Sequence, residues 1–158
     1  MALFDVRELI SMAVKDEETG IAFYRGLAEA TDSDLVKERC RDISEQEKQH
    51  RSRFKSLLDD LGEIEPVEEY PGQYEKYVNN LLETRAFPEP KDAEEDARSC
   101  DSDEEGINTA IRLEKDTLLF LQEMRRFIPD THTDYVNEVV QEERDHLSEL
   151  TELKEKIA

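Results

Sequence analysis

The sequence predicts an all-α protein, a four-helix bundle with a long crossover between its second and third helices. Composition is the first reason, because five glycines, five prolines and no tryptophan among 158 residues leave little material for turns or strands. Capping and breaker residues also divide the chain into four long segments, in which apolar side chains recur at steps of three and four. A chain of this length is predicted to form one domain, over residues 1–158.

The first two helices have recognisable ends. Asp5 is the predicted cap of the first helix, which runs to about Ala30 and stops at the breaker sequence TDSD. The second helix is predicted from about Asp34 to Leu61. Gly62 follows it and suits the left-handed conformation that often ends a helix.

The connection after the second helix, residues 62–101, is too long for a simple loop. Helical spacing in QYEKYVNNLLETRAF, residues 73–87, predicts a short extra helix within it. The acidic run DAEEDARSCDSDEE, residues 92–105, is predicted to be solvated surface. The crossover is therefore expected to be partly helical, with a solvated acidic end.

The last two long helices complete the bundle. Ser102 and Glu105 form a predicted capping box that opens the third helix, which ends near Ile128. The fourth helix is predicted to start after TDYV, residues 133–136, and to run to the C-terminus.

Charge and hydropathy limit the partners. The formal charge of −20 would repel nucleic-acid phosphates and anionic lipid, but it would attract metal cations. No secretion signal or membrane-length apolar run is present, and Cys40 and Cys100 are isolated, without a C-x-x-C pair. We therefore expect a cytoplasmic protein with no nucleic-acid partner, no membrane partner and no thiolate metal site.

The apolar stripe of the second helix is interrupted by two polar residues. Its interior positions follow steps of four and three residues, and the two positions missing from the apolar series are Glu47 and His50. Glu45 and Gln46 lie off this series and are predicted to be solvated surface. The apolar members of the series are Val36, Cys40, Ile43, Phe54, Leu57 and Leu61.

The other three helices also have acidic residues on their interior stripes. The fourth helix repeats the Glu-x-x-His pattern with Glu143 and His146, while the first and third helices have one acid each, Glu17 and Glu114. An internal duplication supports this arrangement, since EKQHRS matches ERDHLS and AVKDEETGIAF matches AIRLEKDTLLF. The sequence predicts two helical hairpins related by a pseudo-twofold axis.

This constellation predicts a dinuclear metal site. Four ionised carboxylates inside a bundle are prohibitively costly unless they are neutralised, and two divalent ions supply four positive charges. A Glu from each of two helices and Glu-x-x-His from the other two is the ligand set of di-iron and di-manganese bundles. Oxygen-rich coordination with one nitrogen per metal suits two Fe ions, with Mn as the alternative, better than structural Zn. Tyr24 lies seven residues after Glu17 and is placed to donate its hydroxyl to a ligand carboxylate, which makes it the candidate catalytic residue.

Taken together, the motif E-x6-Y, E-x-x-H, E, E-x-x-H resembles the rubrerythrin-like branch of the ferritin-like superfamily. The resemblance covers all four long helices and implies a ferritin-like di-iron domain. It implies that Glu47 and Glu143 bridge the metals, that His50 and His146 are the nitrogen ligands, and that Glu17 and Glu114 are terminal ligands. Rubrerythrin proper has a further Glu where this chain has Thr117, and a second tyrosine where it has Leu121.

The resemblance implies an oxidative-stress function, the reduction of hydrogen peroxide or dioxygen. It also implies a homodimer, and because no rubredoxin-type C-x-x-C pairs occur here, an external electron donor such as a separate rubredoxin. One alternative is a ferritin-type protein that oxidises and sequesters Fe(II). Another is a metal-stabilised bundle with only structural or partner-binding duties.

Overall fold

The computed structural model describes residues 6–61 and 88–158, together with residues 76, 80 and 83. Within these residues the regular structure is helical and contains no strand, which confirms the all-α prediction. Short 3₁₀ turns at Arg125–Phe127 and Asp130–His132 join the last two helices. The α-helices are α1 (Val6–Ala30), α2 (Asp34–Leu61), α3 (Pro90–Arg98), α4 (Asp103–Met124) and α5 (Thr133–Ile157).

The helix ends mostly follow the local sequence. The bounds of α1 and α2 agree with the prediction, although the predicted cap Asp5 lies outside the described residues. The hydroxyl of Ser102 accepts a hydrogen bond from the backbone N–H of Glu105 at 3.2 Å, as the capping box predicts. The prediction for α5 was wrong by one turn, because a 3₁₀ turn leads directly into a helix that begins at Thr133.

The helix α3 was not predicted. It overlaps the first half of the acidic run that was expected to be solvated, and Ala93 and Ala97 are fully buried. The run is therefore only partly surface, because two small residues one turn apart let α3 pack closely on α1. The short helix predicted over residues 73–87 lies outside the described residues except at positions 76, 80 and 83, which are helical and exposed.

The bundle consists of antiparallel pairs. Arg7, near the start of α1, donates to the carbonyl of Leu58, near the end of α2. At the opposite end of α1, Leu27 lies against Gly106 near the start of α4. The chain thus leaves α2 at one end of the bundle and begins α4 at the other, so the crossover must travel the length of the bundle.

The described part of the crossover runs alongside α1 in the same direction. The hydroxyl of Thr19 donates to the Pro88 carbonyl at 3.0 Å, and Arg98 donates to Glu29 at 2.6 Å. Gly26 allows this packing, because a Cβ at that position would lie 2.5 Å from the backbone oxygen of Glu94. The helix α3 therefore covers the outer side of α1.

Two apolar clusters fill the bundle, one towards each end. The first includes Ile10, Phe54, Phe120 and Val136, and the second includes Phe23, Val36, Ile107 and Leu150. Along each of the four long helices, the predicted metal ligand or ligands lie between these two clusters, whereas Tyr24 belongs to the second cluster. In the part of the chain that the structure describes, no helix has the length and apolar character needed to span a membrane.

Candidate metal centre

The six side chains singled out by helical periodicity lie together in the middle of the bundle. Each is at most 4% exposed to solvent. They come from all four long helices because each helix turns its interior stripe towards the same axis. The six residues are Glu17, Glu47, His50, Glu114, Glu143 and His146.

These residues form two overlapping groups. Each group contains four residues whose potential ligand atoms all lie within 4.8 Å of one another. Both groups contain Glu47 and Glu143. The first group adds Glu17 with His50, and the second adds Glu114 with His146. Two positions that share two carboxylates have the connectivity of a dinuclear centre.

Both histidines turn the same ring nitrogen towards the carboxylates. The Nδ1 atom of His50 lies 3.0 Å from Glu143 Oε1 and 3.6 Å from Glu17 Oε2. The Nδ1 atom of His146 lies 3.1 Å from both Glu47 Oε1 and Glu143 Oε2. The two rings stack with centroids 5.5 Å apart. One nitrogen is therefore available to each position.

Burial raises the pKa of three of the four carboxyl groups in the cluster. Burial and the charge of Glu143 raise the pKa of Glu17 well above its ordinary value. Burial and the charge of Glu17 do the same to the pKa of Glu47. Burial and Glu143 raise the pKa of Glu114 to about 8. Without a cation, the cluster therefore retains protons that free carboxylates would lose at neutral pH.

Glu143 and the two histidines behave differently because they contact one another. Burial opposes ionisation of Glu143, but hydrogen bonds from His146 and His50 outweigh it and lower its pKa. Burial similarly disfavours the charged form of His50, yet its contacts with Glu143 raise its pKa to about 8. The pKa of His146 is also raised, by contacts with Glu114, Glu143 and Glu47 that outweigh burial. In the absence of metal, protonated imidazoles thus supply part of the missing positive charge.

The cluster fits a pair of divalent ions. Both carboxylate oxygens of Glu17 are buried and have no hydrogen-bond partner among the described residues. Such atoms are costly in an interior, and cations would satisfy them. A donor set rich in oxygen, with one imidazole per position, suits iron or manganese rather than a thiolate zinc site.

Tyr24 is buried beside the cluster. Its hydroxyl donates a hydrogen bond to Glu114 Oε1 at 2.5 Å. Burial and the charge of Glu114 raise the pKa of Tyr24, so the phenol keeps its proton. The corresponding position after Glu114 is Leu121, which is also buried but has no polar group.

Two residues missed by the sequence prediction contact the outer nitrogens of the histidines. Nε2 of His146 lies 2.7 Å from Gln46 Oε1, and Nε2 of His50 lies 2.5 Å from Glu142 Oε2. The prediction that Gln46 is a solvated surface residue was therefore wrong. The available signal was its position: Gln46 and Glu142 each directly precede the Glu of a Glu-x-x-His motif.

Comparisons with known proteins agree with this architecture. A family model described as Rubrerythrin matches residues 8–154. No curated protein matches the chain. A solved structure of a hypothetical protein from Pyrococcus furiosus is similar at 19% identity and a TM-score of 0.66, covering 98% of this chain and 91% of that one.

A second similar structure is a dodecameric thioferritin, the bacterioferritin-related protein from Bacteroides fragilis. It has 18% identity and a TM-score of 0.65, with coverage of 98% of this chain and 89% of that one. At these identities the likeness concerns the fold, which is the ferritin-like bundle that the sequence predicts.

Proposed function

The chain belongs to the rubrerythrin family, and on that premise we propose that it is a di-iron carboxylate protein that reduces hydrogen peroxide or dioxygen with electrons from an external donor. The observation that carries the proposal is the pair of overlapping buried groups that share Glu47 and Glu143. Few other roles account for so many ionisable side chains in one core.

Six residues would hold the metals, with Glu47 and Glu143 common to both positions. Iron is proposed, with manganese as the alternative, because the donors are mostly oxygen. Two ferrous ions would supply one electron each to an O–O bond. Peroxide reduction then consumes two electrons and two protons and yields two waters. The terminal ligands would be Glu17 and Glu114, and the nitrogen ligands His50 and His146.

The protein's own groups prepare the site for this chemistry. The apolar clusters on either side exclude bulk water, which strengthens electrostatic interactions within the site. Tyr24 holds Glu114 in one orientation and keeps a phenolic proton beside the cluster. We propose that it positions the carboxylate, which is the role predicted from the sequence, and that it also provides a proton source.

The electron donor is proposed to be a separate protein. The chain has two cysteines and no C-x-x-C pair within its 158 residues, so this segment has no rubredoxin-type iron site of its own. A pre-reduced sample should therefore consume peroxide once and stop. Repeated turnover should require a reductant together with a partner such as rubredoxin.

The alternative function is iron oxidation and sequestration. It is favoured by the fold shared with a thioferritin described as dodecameric, since storage requires a cage. We propose the smaller assembly, a homodimer, because the crossover of about forty residues predicted between α2 and α4 would add bulk to the outer face of the bundle.

One experiment separates the two functions. The anaerobic protein is loaded with two equivalents of Fe(II) and mixed with hydrogen peroxide, while ferric absorbance and particle size are followed. We expect oxidation much faster than that of free Fe(II), with a sharp limit near one peroxide per chain and a small particle. In a parallel sample given Fe(II) in large excess, loading of hundreds of irons per particle would favour storage. Oxidation no faster than that of free Fe(II) would contradict both functions.

A further inference from the structure

The pseudo-twofold symmetry of the site is broken by the residues behind the two histidines. Gln46 and Glu142 occupy equivalent places in the duplicated sequence, and each faces the histidine of the other half. The partner of His146 is thus a neutral amide oxygen, whereas the partner of His50 is a carboxylate. The two imidazoles therefore face the same carboxylate cluster through Nδ1, but their Nε2 atoms have partners of different charge.

This difference changes the strength of each imidazole as a ligand. In both rings Nδ1 faces the cluster, so Nε2 is the nitrogen that donates outward. A carboxylate acceptor polarises the ring more than an amide does, and it makes Nδ1 a stronger ligand. Arg53 also donates to Glu142, at 2.9 Å, which offsets part of its charge while holding the carboxylate in place.

A second asymmetry lies behind the terminal carboxylates. Glu114 accepts the hydroxyl of Tyr24, and that hydrogen bond draws negative charge away from its oxygens. The equivalent residue beside Glu17 is Leu121, and neither oxygen of Glu17 has a hydrogen-bond partner among the described residues. Unlike Glu114, Glu17 therefore has no hydroxyl donor that would compete with a cation for its oxygens.

Both asymmetries act in the same direction. Resting on the dinuclear site of the proposed function, we infer that its two metal positions are unequal, and that the position beside Glu17 and His50 binds a divalent ion more tightly and fills first. Glu142, Gln46 and Tyr24 are the positioning residues that set this order. Loss of such a partner typically changes metal affinity by about 10- to 100-fold, so the two binding steps should be separable.

Calorimetric titration with Mn(II), in the absence of any oxidant, measures the two steps. The wild-type protein should bind two ions per chain with affinities at least about tenfold apart. Glu142→Gln should weaken the first step by about tenfold, whereas Gln46→Glu should strengthen the second. Glu138→Gln is the matched control, because it removes the same charge one turn earlier on α5. Glu138 is exposed, and its carboxylate lies 3.9 Å from the guanidinium of Arg53.

The order of filling can be assigned to residues directly. The chain has three histidines, so protein labelled with ¹⁵N-histidine gives three pairs of imidazole nitrogen signals, of which His132→Gln removes one pair. One equivalent of the diamagnetic probe Zn(II) should shift the Nδ1 signal of His50 before that of His146.

Two outcomes would overturn the inference while leaving the dinuclear site intact: equal affinities with simultaneous shifts, or a Glu142→Gln variant that behaves like Glu138→Gln. Binding of fewer than two ions per chain would instead refute the dinuclear site itself, and the proposed function with it. Because Gln46→Glu predicts a gain in affinity, a folding defect cannot imitate the expected result.

Discussion

Glu47 and Glu143 are the two residues that both metal positions would share. Replacing both with alanine should abolish binding of iron or manganese, because each position would lose two of its three carboxylates. It should also remove the thermal stabilisation that metal gives to the wild-type protein. Metal analysis and thermal unfolding with and without Mn(II) test this.

A matched control for this double variant exists on the surface. Glu45 and Asp145 are exposed neighbours on the same two helices, and replacing both with alanine removes the same formal charge. That variant should retain two metal ions per chain. Unchanged metal content in the Glu47→Ala, Glu143→Ala variant would show that these carboxylates are not ligands.

Tyr24 contributes through a buried hydrogen bond. Tyr24→Phe removes the donor to Glu114 and should lower the free energy of unfolding of the metal-free protein by about 1–3 kcal/mol. Urea denaturation measures this loss, and stopped-flow mixing of the reduced protein with peroxide should show slower oxidation. Tyr135→Phe is the control, since Tyr135 is 38% exposed and should change neither quantity. If Tyr24→Phe is oxidised as fast as the wild type, Tyr24 has no role in the reaction.

At the scale of elements, the contact between α1 and α3 depends on the absence of a side chain at Gly26. A methyl group there would meet the backbone oxygen of Glu94, which cannot rotate away as a side chain would. Gly26→Ala should therefore destabilise the protein by about 1–3 kcal/mol despite the better helix propensity of alanine.

The comparison for this variant is Gly106→Ala. Its added methyl group would meet the terminal carbons of Leu27, a flexible side chain that can adjust. Urea denaturation should show the larger loss for Gly26→Ala, and hydrogen exchange should increase in α3. Equal losses in the two variants would mean that the backbone contact with Glu94 is unimportant.

At the scale of the whole molecule, metal and pH act on the same buried charges. In the metal-free protein the pKa of Glu114 is raised to about 8 by burial and Glu143. Burial opposes protonation of His50, but contacts with Glu143 raise its pKa to about 8 as well. Between the ordinary pKa of each group and about pH 8, that group binds more protons in the folded state than in the unfolded state. The metal-free protein should therefore lose stability as the pH rises from 6 to 8.5.

Bound metal should have the opposite dependence on pH, because its stabilising effect should increase as the pH rises. Cations bind the ionised carboxylates and neutral imidazoles that high pH favours, so the increase in melting temperature caused by Mn(II) should be larger at pH 8.5 than at pH 6. Differential scanning calorimetry at the two pH values measures the increase. The Glu47→Ala, Glu143→Ala variant should show no such divergence, and an equal increase at both pH values in the wild type would contradict the argument.

The sequence by itself determined the helices and the composition of their interior stripes. Caps, breakers and apolar periodicity are local properties, and they predicted the all-α bundle, the bounds of α2 and the two Glu-x-x-His motifs on buried faces. The six side chains of the candidate centre were all identifiable because an acid on an apolar stripe is anomalous in any helix. Whether they bind metal stays a prediction.

Only the tertiary structure decided what lies opposite each residue. Periodicity tells which face of a helix is buried, but the partner of His50 depends on how far α2 and α5 slide past each other, which no single helix encodes. Gln46 and Glu142 lie at the edges of their stripes and therefore looked like ordinary surface residues. The helix α3 escaped prediction for the same reason, because its burial depends on the close approach of Ala93 and Ala97 to α1 rather than on apolar residues of its own.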